Sequence, residues 1–83
     1  MIQLPAKLRI CNMVRPGASA EEIERRERYA VNELFLKLAD NIPRSRPIVV
    51  LVTTKRRVIQ DVPETWPEAG CTEITVACEV SNP

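Results

Sequence analysis

The chain has 83 residues, with 12 Lys and Arg against 11 Asp and Glu, three Cys and no His. That length holds a single domain, residues 1–83, which buries only about 60% of the surface its unfolded chain exposes, so docking on a partner or a second copy adds usefully to its stability. The near-neutral charge and a 45% hydrophobic content are those of a globular chain, not a disordered one, and an odd number of Cys without His argues against a zinc centre or a disulfide framework.

The opening residues Met1-Ile2-Gln3-Leu4-Pro5-Ala6-Lys7 show no basic segment followed by a long apolar one, and no later stretch reaches membrane-spanning length. The sequence therefore reads as a soluble, cytoplasmic protein. Leu4, Ala6, Leu8 and Ile10 alternate with Pro5, Lys7, Arg9 and Cys11, the period of a half-buried strand. Pro5 lacks a backbone donor, which puts this strand at a sheet edge.

Arg15-Pro16-Gly17 breaks the alternation as a turn. Ser19 followed three residues later by Glu22 then forms a capping box, in which each side chain satisfies the other's backbone N–H. Ile23, Ala30, Val31, Leu34, Phe35, Leu38 and Ile42 recur at helical spacing and make one apolar stripe. Glu21 with Arg25, Glu22 with Arg26 and Glu24 with Arg28 are i,i+4 pairs, so the charged block on this helix reads as a solvated face. Asn41 and Pro43 mark its end, since the residue before proline resists helical geometry.

After Pro47 comes the uninterrupted apolar run Ile48-Val49-Val50-Leu51-Val52, continued by Thr53 and Thr54. A strand apolar on both faces asks for cover above and below, which predicts a central position and a spatial strand order 1-2-3. Residues 72–80 alternate again, with Ile74, Val76, Cys78 and Val80 on one face. Together these elements predict an α+β fold in β-α-β-β order, a three-stranded sheet with one long amphipathic helix packed on one face and a right-handed crossover between the first two strands.

One helix covers one face only. The other is expected to show either Val49 and Leu51 or Ile48, Val50 and Val52, flanked by Lys7 and Arg9 on one strand and Glu73 and Glu79 on another. Three covers are open to it: a second copy of the chain, another protein, or the loop carrying Trp66 folded back. Pro63-Glu64-Thr65-Trp66-Pro67 is stiffened by its prolines, and a tryptophan held there is either a partner anchor or a lateral closure of the core.

Three chemical classes compete for the function. A protein-interaction module, self-associating as a homodimer through its helix-free sheet face or an edge strand, with edge pairing of the third strand as the variant geometry, would use Val49, Leu51 and Trp66 with Lys7 and Arg9 meeting acids of the partner. A binder of nucleic acid or an acidic partner would use Lys55, Arg56 and Arg57 with Arg44 and Arg46, although glycine-rich phosphate loops are missing and acids lie close by. An enzyme has least support, because no His is present and Asp61, Glu64 and Glu68 look like an exposed acidic loop. Cys11 becomes nucleophilic only beside a cation, and Arg9 shares its face two residues away. Cys71 and Cys78, about 23 Å apart along one strand, share neither a metal nor a bridge. The β-α-β-β order resembles the tautomerase family, whose catalytic proline follows the initiator methionine, but Ile2 stands at that place. Neither cofactor nor metal is expected, and an interaction module is the leading expectation.

Overall fold

The computed structural model describes residues 4–42 and 47–83. Its elements are strand β1 (Ala6–Val14), helix α1 (Ala20–Asn41), strand β2 (Val49–Val58) and strand β3 (Thr72–Ser81). Three antiparallel strands in one sheet and one helix make the α+β fold in β-α-β-β order that the hydrophobic periods predict.

The sheet order is β1-β3-β2, so the expected 1-2-3 order is corrected: β3 is central, paired on both sides and without an edge for a partner, and β2 lies at an edge. Both neighbours pair with β3 antiparallel, from Ala6↔Val80 to Val14↔Thr72 on one side and from Val49↔Ser81 to Val58↔Thr72 on the other. The first two strands therefore do not adjoin each other. The physical reason lies in two sequences. In β3, Ile74, Val76, Cys78 and Val80 are fully buried, and the opposite face carries short side chains such as Thr75 and Ala77, so the strand tolerates a neighbour on each side. In β2, the Lys55-Arg56-Arg57 triplet is accommodated best where one strand margin meets water. The apolar run that suggested burial on both faces sits instead at a sheet margin.

Helix α1 begins as the capping signal predicts: the Ser19 hydroxyl accepts a hydrogen bond from the Glu22 N–H at 3.1 Å. The reciprocal half of the box differs, because the Glu22 carboxylate takes Arg15 at 3.3 Å. At the other end Ile42 is extended, with φ −112° and ψ 139°, as a residue before proline should be. Ala30, Leu34 and Leu38 point down into the sheet and form the core with Ile10, Val14 and the four buried residues of β3. The helix packs on β1 and β3 rather than on β2. Val50 and Val52, on the helix side of β2, are consequently only partly buried.

The connection from 59 to 71 closes on itself. The Ile59 N–H donates to the Cys71 carbonyl at 2.9 Å, the Gly70 N–H donates to the Ile59 carbonyl at 2.8 Å, and tight turns run through Trp66 and Ala69. Ile59 and Cys71 are buried beneath it. Gly70 needs its positive φ of 79°, and a Cβ there would meet Pro16 at 3.4 Å, so the loop base rests on the turn before α1.

Candidate functional site

The register sorts every strand residue to one of two faces. Residues of β2 with even numbers pair with buried positions of β3, Val50 with Val80 and Val52 with Cys78, so they face the helix. Odd-numbered residues face away, and Val49 and Leu51 stand in solvent at 47% and 59% exposure. Of the two alternatives posed for the helix-free face, the Val49 and Leu51 one is therefore observed.

That face is not an apolar stripe between opposite charges. Leu51, Glu79 and Lys7 make one cross-strand row, and Lys7 meets Glu79 of the same chain at 3.4 Å. The next row is Thr53, Ala77 and Arg9, and the one after it Lys55, Thr75 and Cys11. A shallow trough of about 400 Å³ runs over Ala77, with Leu51 and Thr53 on one bank and Lys7 and Arg9 on the other. The Cys11 thiol lies 3.6 Å from the Thr75 hydroxyl. Among the described residues no charged side chain is buried, and no three potential metal ligands stand together.

Lys7, Arg9, Val49 and Leu51 are thus gathered at one end of the sheet. Trp66 is not with them: it lies in the connection between β2 and β3, is half exposed, and belongs neither to the trough lining nor to the core cluster. The loop that carries it leaves the open face uncovered.

The basic triplet is split by strand alternation. Lys55 and Arg57 lie on the open face, whereas Arg56 lies on the helix face and donates to Glu27 of α1 at 2.7 Å. That hydrogen bond, opposed by desolvation and reinforced by the charge attraction, holds the Glu27 carboxyl below its ordinary range; the same bond raises Arg56. Arg57 is shared between Glu73 at 3.8 Å and Asp61 at 3.9 Å. Lys55 is the one member of the triplet without an ion pair among the described residues, and Arg44 and Arg46 lie outside them. A single cluster of three free cations does not form.

What the alternation pattern did not reveal is the outer margin of β2. Its backbone groups on the side away from β3 have no strand to pair with among the described residues, and its first six residues carry no charge. Phe35, read from its spacing as core, is 47% exposed on the flank of α1 that Glu27 turns toward β2. Val31, Val50 and Val52 are only partly buried against the core, and Phe35 is not part of it. The signal available in the sequence was Phe35 itself, at the rim of the apolar stripe and followed by the exposed Leu36.

Among the described residues no helix is long and apolar enough to cross a membrane. Comparison of the chain with protein-family models, with curated proteins and with solved structures gives no match.

Proposed function

We propose that this protein is a small non-enzymatic interaction module of the cytoplasm that associates with itself, and that its working element is the outer edge of β2. One observation carries the proposal: β2 is a long edge strand whose leading half is uncharged, lies outside the cover of α1 and holds Val49 and Leu51 in solvent. Edges of this kind are templates for strand addition, and proteins with no binding role for them place charge, proline or a bulge there. Within β2 charge appears only from Lys55 onward.

The helix-free face is the weaker surface for the same purpose. Glu79 is engaged by Lys7 within its own chain, and Arg57 by Glu73, so docking there would have to break pairs already made. Nucleic-acid binding through Lys55, Arg56 and Arg57 draws less support than edge association, because two of the three cations are already held by carboxylates.

Sedimentation equilibrium from low to high micromolar concentration tests the proposal. The wild type is expected to pass from monomer to dimer, and Val49→Lys and Leu51→Lys variants to remain monomeric with an unchanged thermal midpoint, since both positions are solvent-facing. A strict monomer throughout, with the variants equally stable, would sink it.

A further inference from the structure

We infer that the middle of the helix-free sheet face binds a small-molecule phosphate monoester, held between Arg9 of β1 and Lys55 of β2; this surface is separate from the β2 edge and does not depend on it. Charge on this face is unequally matched. Its strand residues include the cations Lys7, Arg9, Lys55 and Arg57 but only the acids Glu73 and Glu79. Both acids lie on β3 and each already has a cation. Glu79 takes Lys7 at 3.4 Å, and Glu73 takes Arg57 at 3.8 Å, with Asp61 of the following loop on the same guanidinium at 3.9 Å. Arg9 and Lys55 are left over. Neither makes an ion pair among the described residues, and residues 1–3 and 43–46 contain no Asp or Glu that could supply one.

The two cations face each other across a short-chained floor. Ala77 lies between Arg9 and Thr53, and Thr75 lies between Cys11 and Lys55. Two strand spacings and two residues along the chain put the Cα atoms of Arg9 and Lys55 about 12 Å apart, a span their long side chains can close from opposite sides. Both line one depression of about 350 Å³ together with Thr53 and Thr75, and the paired Arg57 and Glu73 form its end.

The charge left over selects the ligand. A carboxylate neutralises one of the two unpaired cations, whereas a phosphate monoester carries about −1.5 to −2 charges near neutral pH and matches both. Its tetrahedral oxygens can accept at once from the Arg9 guanidinium, the Lys55 ammonium and the threonine hydroxyls, which come from three different strands. A nucleic-acid strand is the poorer occupant, because none of the three strands carries an aromatic residue on which a base could stack.

Heteronuclear NMR titration with glycerol 2-phosphate, at constant ionic strength and about pH 8 so that the monoester is a dianion, tests this. Amide shifts at Thr53, Thr75 and Ala77 are expected to saturate, with a dissociation constant of the order of millimolar for so open a site. Arg9→Gln and Lys55→Gln are each expected to raise it at least about fivefold, while Arg26→Gln, which removes the same charge from the exposed side of α1, leaves it within about twofold. Acetate at the same ionic strength is expected to bind at least about fivefold more weakly. The dispersion of each variant's spectrum establishes that it is folded. Shifts that rise without saturating, or an affinity lowered equally by all three substitutions, would show only diffuse attraction to charge and overturn the site. Acetate binding as tightly as the monoester would overturn the choice of phosphate, and so would an oligothymidylate that binds more tightly with each added nucleotide. None of these outcomes touches edge association, which sedimentation decides separately.

Discussion

Glu27 and Arg56 are the polar tie between α1 and the edge strand, and their pairing has a definite signature in pH. The hydrogen bond from Arg56 places the folded-state pKa of Glu27 below its ordinary value of 4.5, which the unfolded chain retains. Its stabilisation is therefore present in full above 4.5 and is lost as the pH falls through the lower folded-state value. The thermal midpoint of the wild type should exceed that of Glu27→Gln near neutrality and converge with it in acid; a gap that widens in acid would contradict the pairing. The effect is small, because Arg56 keeps contact with water. The three cysteines differ more sharply. Burial pushes the Cys78 thiol up, Cys71 is buried with its thiol directed to the Pro67 carbonyl at 3.5 Å, and Cys11 is exposed. An aromatic disulfide reagent should titrate one thiol quickly in the native protein and all three in denaturant, with Cys11→Ser abolishing the fast phase. Two fast thiols would show that the 59–71 loop does not seal Cys71.

At the scale of elements, α1 and the strand positions were legible in the sequence, whereas their arrangement was not. Ser19, the stripe through Ala30, Leu34 and Leu38, and the extended Ile42 are local signals, each settled within a turn or two of chain. Of the three i,i+4 pairs expected on the helix, Glu24 with Arg28 closes at 2.9 Å, while Glu22 is diverted to Arg15 from outside the helix. Strand order depends instead on pairings between distant residues, and the apolar run at 48–52 pointed the wrong way. Its two faces are apolar for different reasons: Val50 and Val52 border the core, and Val49 and Leu51 belong to a margin open to solvent. The candidate site inherited that ambiguity. Lys7, Arg9, Val49 and Leu51 do gather, but Trp66 lies elsewhere and the free margin of β2 was invisible until β3 took the centre. The stripe itself gives a sharp contrast. Leu34 is fully buried and Leu36 is 68% exposed, so Leu34→Ala should cost about 2–5 kcal/mol and Leu36→Ala less than about 0.5 kcal/mol in chemical denaturation. Equal costs would mean that the helix is rotated from the position described.

The whole molecule is elongated, 49 by 24 by 18 Å, with a radius of gyration of 15.4 Å where a compact chain of this length has about 12 Å. The β2–β3 hairpin and its terminal loop lengthen one axis, and the helix shelters only the β1–β3 side of the sheet. The placement of β3 also orders events in time. The strand that both others require comes last of the four elements, and β1 waits for it across the entire helix and hairpin, Val14 for Thr72 and Ala6 for Val80. During synthesis, then, the first strand and the helix emerge with no sheet to join. β2 follows with its aliphatic run unpaired on both margins, and only the arrival of residues 72–81 lets the sheet close. Closing such long loops late makes folding slow relative to a helical bundle of equal size. In that interval β2 has two sticky margins instead of one, and what protects the nascent chain there is the cationic triplet at 55–57, standing guard over the strand before it has a neighbour.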